Sequence, residues 1–179
     1  MEVYLMRHGL TVSNERKITQ GLTKGRLSKT GKIQTLEQAE KCKYINFDVI
    51  FSSPLARAIQ TSNIMNRFHN VKIIKQELLT GIDQGIFTNR YYFSLTDEEK
   101  QLKLLRTKET KMESYKNVFN RVKCFYDKIL KKSKYEKVLI VSHGVVVSFL
   151  EYIINGATEY IKEFKSNLYC QAEIKKFEI

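Results

Sequence analysis

Val138-Leu139-Ile140-Val141-Ser142-His143-Gly144 contains the most strand-like run in the chain. Four consecutive branched aliphatic residues fit a strand buried on both faces, and glycine after histidine fits a turn at its end. A run of the same form opens the sequence, where Glu2-Val3-Tyr4-Leu5-Met6 leads into Arg7-His8-Gly9. A third, Phe47 to Phe51, runs into Ser52-Ser53-Pro54. Helical spacings separate these runs. From Thr30 to Tyr44, Ile33, Leu36, Ala39 and Cys42 recur every three residues, with Lys and Glu between them. Ser53 as N-cap and Pro54 as first helical residue predict a helix from Leu55 to about His69. Leu55, Ile59, Ser62 and Met65 would lie along one side of it.

The same reading continues down the chain. Val71 to Ile74 reads as a further strand and Gly81 to Asn89 as a loop. Thr96 and Glu99 have capping-box spacing. Val118, Val122, Phe125 and Ile129 form one stripe of a helix over Ser114 to Leu130. A helix follows Gly144 through Ile153, and Leu168 to Ile179 partly alternates, as an edge strand does. Strands alternating with helices predict an α/β fold, a three-layer α/β/α sandwich around a mostly parallel sheet. We read residues 1–179 as one domain, with a small helical cap inserted at about 85–112.

Composition bounds the function. At 42% hydrophobic and 11% aromatic residues, a chain of 179 residues can bury a substantial core. No apolar run reaches the ~18–20 residues of a membrane helix. Arg7 and His8 follow the first hydrophobics instead of preceding them, which does not suit a secretory signal. Cys42, Cys124 and Cys170 are odd in number and show no CxxC spacing, so neither a disulfide framework nor a metal site is expected. These features predict a reduced, cytoplasmic protein. The net charge of +12 admits a solvated lysine face, attraction of anionic small substrates, or a nucleic-acid footprint. The lysines are spread along the chain and no nucleic-acid-binding motif accompanies them, so the first two readings rank above the third.

The chemistry is concentrated at strand ends. In an open α/β sheet, ligands bind beyond the carboxyl ends of the strands. His8 and His143 each follow a predicted strand, and Arg57 lies within one helical turn of a third strand's end. Alone, a His-Gly after a strand is commonly just a turn, and an arginine on a helix is commonly solvated. Together they make two arginines and two histidines converging on one spot, a set suited to phosphoryl transfer. Guanidinium groups stay charged and bind phosphate bidentately. A neutral imidazole can attack phosphorus, and a second can stabilise the equatorial oxygens.

Arg7-His8-Gly9-Leu10-Thr11 with Asn14, Gly21, Leu27-Ser28 with Gly31, Ser53-Pro54-Leu55-Ala56-Arg57-Ala58, Glu113-Ser114 with Arg121, and Val141-Ser142-His143-Gly144 follow in a definite order. In that order the sequence resembles the histidine phosphatase superfamily, in its phosphoglycerate mutase-like branch, from residue 2 to about residue 150. The resemblance implies the phosphoglycerate mutase-like fold and a His8 nucleophile that becomes phosphohistidine. It also implies that Arg7, Arg57 and His143 hold the transferred group. Asn14 would add a phosphate contact, Thr11 would brace the loop or contact phosphate, and Gly144 would line the phosphate site. No metal or other cofactor is implied.

Two departures stand out. Leu10 occupies a position where the family commonly carries Glu or Gln. The family's proton-donating Glu aligns with Gly81, within Leu79-Thr80-Gly81-Ile82-Asp83-Gln84-Gly85. Asp83, in the same loop, is the candidate replacement acid, against an ordinary role as a turn residue; Glu77 lies further off, and Glu113, beside Ser114, could reach the pocket from a helix start. The expected activity is hydrolysis of a small phosphorylated metabolite. A cofactor-dependent phosphoglycerate mutase and a catalytically weak phosphate-binding module are the alternatives. Neither membrane nor nucleic acid is expected as a partner. Tyr91, Tyr92 and Phe93 either form a wall for the non-phosphate part of a substrate or pack within the cap.

Overall fold

In the computed structural model, which describes residues 1–162 and 169–179, the predicted strands assemble into one five-stranded sheet. The strands are β1 (Glu2–Arg7), β2 (Val49–Ser52), β3 (Lys72–Lys75), β4 (Lys137–Ser142) and β5 (Ile174–Glu178), in the order β3-β2-β4-β1-β5. The first four run parallel, and β5 pairs antiparallel with β1 at the edge. The predicted C-terminal edge strand is therefore present over 174–178, while its first residue, Leu168, lies outside the described residues.

Alternation along buried strands feeds two separate cores. Val3, Leu5, Val49, Phe51, Val138 and Ile140 pack on one face with residues of α5 (Tyr115–Phe125) and α6 (Gly144–Ile154). Tyr4, Met6, Ile50, Leu139 and Val141 pack on the other, with residues of α2 (Lys29–Lys41) and α3 (Ala56–Met65). This is the three-layer α/β/α sandwich. The remaining α-helices are α1 (Val12–Glu15) and α4 (Asp97–Leu105). Within 85–112, α4 and three short 3₁₀ turns surround a small core of Phe87, Leu95 and Met112. Thr96 and Glu99 form the capping box that their spacing predicts. No helix of the described residues is long and apolar enough to cross a membrane.

Two local readings are corrected. The buried side of α2 is Gly31, Thr35 and Ala39, whereas Ile33 is 51% exposed. The reason is that α2 packs against main chain: a Cβ on Gly31 would fall 1.9 Å from the Leu10 carbonyl oxygen, and one on Gly9 would fall 2.4 Å from Thr35 Oγ1. Small residues, not aliphatic ones, allow that approach. At α3 the N-cap is Leu55, without a side-chain cap; the Ser53 hydroxyl accepts from the Leu55 N–H and contacts His143 Nε2 instead of capping the first turn.

The contact between α2 and the loop after β1 is testable. Helix propensity alone favours Gly31→Ala by up to about 1 kcal/mol. The backbone overlap reverses the sign, and we expect a net loss of about 1–3 kcal/mol in urea unfolding. A stabilised variant would show that the loop carrying His8 is not held against α2.

Candidate active site

Strand register brings the two histidines together. β1 and β4 pair with Arg7 opposite Ser142, and one step further the His8 N–H donates to the Ser142 carbonyl at 2.9 Å. The two imidazole rings then lie 5.1 Å apart, edge to face. On the other side of β4, Ser53 N–H donates to the Val141 carbonyl at 3.0 Å. That places the Ser53 hydroxyl 2.8 Å from His143 Nε2. Arg57, in the first turn of α3, reaches the same place and is 3% exposed.

These side chains line a cavity of about 320 Å³. Its positive charge is held by main-chain carbonyls. Arg7 Nη1 donates to the Tyr169 carbonyl at 2.6 Å; Arg57 donates to the Gly21 and Thr23 carbonyls at 2.8 and 2.9 Å. The Nε atoms of both arginines are buried, with no acceptor among the described residues. The first residues of α6, Gly144 and Val145, also line the cavity, so the positive end of that helix faces it.

The imidazoles are kept neutral. Burial first, then the Arg57 charge, push His8 down to about 3; Arg7 adds to this, and a hydrogen bond with the Gly9 carbonyl partly opposes it. Burial and Arg57 likewise hold His143 well below the usual histidine range, with His8, Arg121 and Arg7 contributing. A neutral His8 hydrogen-bonded to a carbonyl must carry its proton on Nδ1, which lies 2.8 Å from Gly9 O. Nε2 then keeps its lone pair. Arg57 is pushed down to about 10, chiefly by burial and then by Arg7, and remains charged at neutral pH.

Arg7, His8, Asn14, Arg57, His143 and Gly144 all line the cavity. Asn14 Oδ1 accepts from the Thr11 N–H and hydroxyl in the capping box of α1, which leaves its amide NH₂ as the free end. Thr11 is fully buried and braces the loop without lining the cavity. Asp83 is the site residue that the structure does not bring in. Its carboxylate accepts the Gly85 N–H at 2.9 Å, a local turn contact, and does not line the cavity. Glu113 is held in a two-pronged pair with Arg121, and Glu77 also lies outside the lining. Among the described residues no Asp or Glu lines the cavity. Gly81 does line it: a Cβ there would stand 3.2 Å from Arg57 Nη2 and 3.3 Å from the His143 ring.

Sequence reasoning missed Gln20, Gln84 and Tyr169, which also line the cavity. Gln20 and Gln84 flank Gly21 and Gly85, glycines with positive φ that turn the chain at the cavity rim. Two amides beside two turn glycines were the available signal. Tyr169 acts on Arg7 through its carbonyl from 162 positions away, and no local pattern announces that.

Residues 3–176 match the histidine phosphatase superfamily (branch 1). The chain belongs to that family. It is 30% identical over 166 residues to "Probable phosphoglycerate mutase GpmB" of Enterobacter sp. (strain 638), covering 89% of this chain and 77% of that protein. The alpha-ribazole phosphatase of Shigella flexneri superposes with a TM-score of 0.86 at 22% identity, covering 100% of this chain and 91% of that one. Phosphoglycerate mutase of Bacillus anthracis superposes with a TM-score of 0.80 at 22% identity, covering 98% and 86%. The two superpositions establish the likeness of fold.

Neutral buried histidines make stability depend on pH. Below about 6.5 the unfolded chain binds protons at His8 and His143 that the folded protein does not, so stability falls with falling pH. The slope is up to about 1.4 kcal/mol per pH unit for each ring. Urea midpoints at successive pH values between 7 and 5 should show this decline, and His8→Asn should remove one ring's share. A slope unchanged in that variant would mean that His8 is protonated in the folded protein.

Proposed function

We propose that the protein is a cytoplasmic phosphatase of small phosphomonoesters working through a phosphohistidine on His8, with no nucleic acid as partner. One observation carries the reading. The His8 Nδ1 contact with the Gly9 carbonyl frees Nε2 as a nucleophile beside two buried guanidiniums whose Nε donors lack acceptors. In the first step Nε2 attacks phosphorus, the N–P bond forms, and the electron pair of the broken P–O bond goes to the leaving oxygen. In the second, water attacks phosphorus and the N–P electrons return to Nε2.

Arg7, Arg57 and His143 hold the transferring group, with Asn14 and the N-terminus of α6 adding donors. The Ser53 hydroxyl accepts from Leu55 N–H at 3.3 Å and gives its own proton to His143 Nε2. The proton of the neutral His143 ring then sits on Nδ1, beside Gly81, as a donor to the phosphoryl oxygens. Gln20 and Gln84 face the remainder of the substrate.

The similarity to a protein named as a phosphoglycerate mutase supports a second reading, in which phosphohistidine returns its group to a phosphorylated glycerate. The lack of carboxylates in the cavity lining among the described residues supports a third, a phosphate-binding module of low turnover.

Rapid quench with ³²P-labelled phosphomonoesters should trap acid-labile, base-stable label on His8, absent in His8→Ala. Arg57→Ala should cost about 10²–10³ in rate, the scale of losing one transition-state donor, and should weaken vanadate inhibition. Arg67→Ala, exposed on the turn after the same helix, should change neither. Equal effects of the two substitutions would remove Arg57 from the phosphate site. Label transferred to glycerate phosphates faster than to water would favour the mutase. Vanadate binding with no label would favour the binding module.

A further inference from the structure

A phosphate site lined by no carboxylate among the described residues restricts what can leave. An alcohol departs as a strongly basic alkoxide unless an acid protonates it, and such an acid contributes about 10²–10⁴ in rate. Of the candidate acids, Asp83 is held by the Gly85 N–H and Glu113 by Arg121. The arginines stay charged, and they are poor acids for the same reason. A leaving group that is stable as an anion needs none of them.

The cavity also has an annex. A second hollow of about 300 Å³ shares Asn14 and Ile18 with the phosphate cavity and is bounded by Leu10, Lys17, Tyr92 and Phe93. Tyr92 and Phe93 are 45% and 64% exposed, their rings packed edge to face against each other. The Lys103 ammonium stands 5.2 Å over the Tyr92 ring, so the surface offered to a planar group is chiefly the exposed Phe93 ring beside the charged cavity. Leu10 contributes to the same wall, where a carboxylate or amide would make it polar.

Building on the phosphohistidine reading above, we propose that the protein acts on aryl phosphates. The phosphoryl group sits between Arg7 and Arg57, and the aromatic leaving group lies past Asn14 and Ile18 against Tyr92 and Phe93. His8 Nε2 forms the N–P bond as the P–O(aryl) bond breaks, and the aryloxide leaves with the electron pair, unprotonated. Water then attacks phosphorus, the N–P electrons return to Nε2, and the aryloxide takes up the proton released from that water. The products are a phenol and hydrogen phosphate.

The test compares leaving groups on the full chain, by single-turnover labelling of His8 and by kcat/KM. The substrates are para-substituted phenyl phosphates, glycerol phosphate and ribose 5-phosphate as alkyl esters, and acetyl phosphate, whose acyl group neither needs an acid nor fills the annex. Phenyl phosphates should exceed both alkyl esters by at least about 10², the contribution of the missing acid, and their rates should fall as the phenol becomes more basic. Phe93→Ala should raise KM for phenyl phosphate about two- to tenfold, the scale of an aromatic pair. It should leave acetyl phosphate unchanged, and Phe93→Tyr should restore the aryl KM.

Alkyl esters reacting as fast as phenyl phosphates, or Phe93→Ala changing acetyl and phenyl phosphate alike, would overturn the aryl proposal. If acetyl phosphate still labels His8 in that event, the phosphohistidine reading survives. If no donor labels His8, both fall.

Discussion

The site rests on the parallel pairing of β1 with β4. Both strands are buried on two faces that feed different cores: Val3 and Leu5 pack beneath α5 and α6, Tyr4 and Met6 beneath α2 and α3. A slip of one residue would exchange those sets and put every side chain into the wrong core. The register of Arg7 with Ser142 is therefore held by the whole length of both strands, and His8 and His143 inherit it. Two histidines 135 positions apart meet because the apolar residues before them leave no alternative. β2 adds Ser53 from the other side of β4 by the same kind of pairing.

Charge in the site is arranged by withholding carboxylates. Arg7 and Arg57 are anchored by carbonyls of Tyr169, Gly21 and Thr23, which fix geometry without cancelling charge. Arg121, outside the cavity lining, has a true counter-ion in Glu113, and it ties down the loop at Leu78 and Gly81 through their carbonyls. Arg106 holds the Asp83 and Glu113 carbonyls from the cap side. Arg121, with its counter-ion, thus braces the wall, while Arg7 and Arg57, anchored by carbonyls alone, face the cavity. Burying Arg7 and Arg57 costs folding energy: burial lowers the proton affinity of both groups, and the Arg7 charge adds to this at Arg57. In the proposed function, a bound dianion offsets that cost.

Much of this was legible because strand ends and caps are local. The runs before His8 and His143 specify two buried strands, and Thr96 with Glu99 specifies a helix start. Three features were not legible, for one shared reason. The burial of Thr35 instead of Ile33 depends on how closely α2 approaches the Leu10 carbonyl, a distance between segments. The diversion of Ser53 from helix cap to His143 partner depends on the β2–β4 register. Asp83 lies between the cavity residues Ile82 and Gln84, yet its carboxylate is captured by the turn at Gly85, whose φ of +47° only the folded backbone reveals. Spacing finds which residues are near one another along an element. It does not find which main-chain groups compete for them.

In the proposed reaction, the two half-reactions make different demands on the same field. Attack by His8 Nε2 converts a neutral ring into a phosphorylated imidazolium in a region already carrying two guanidinium charges. The phosphoryl oxygens must stay between Arg7 and Arg57 for that cation to be tolerated. Hydrolysis relieves it, because the N–P electrons return to Nε2 and the ring is neutral again. The field that keeps His8 ready to attack therefore also makes its phosphorylated form reactive, and water needs no acid to complete the second step. Departure of the leaving group has no such help, since Gly81 contributes no side chain where a proton donor would face the P–O bond. The absent acid thus weighs on the first half-reaction alone. With a basic leaving group that step limits turnover and phosphohistidine stays scarce. With a leaving group stable as an anion the limit passes to hydrolysis, and phosphohistidine accumulates.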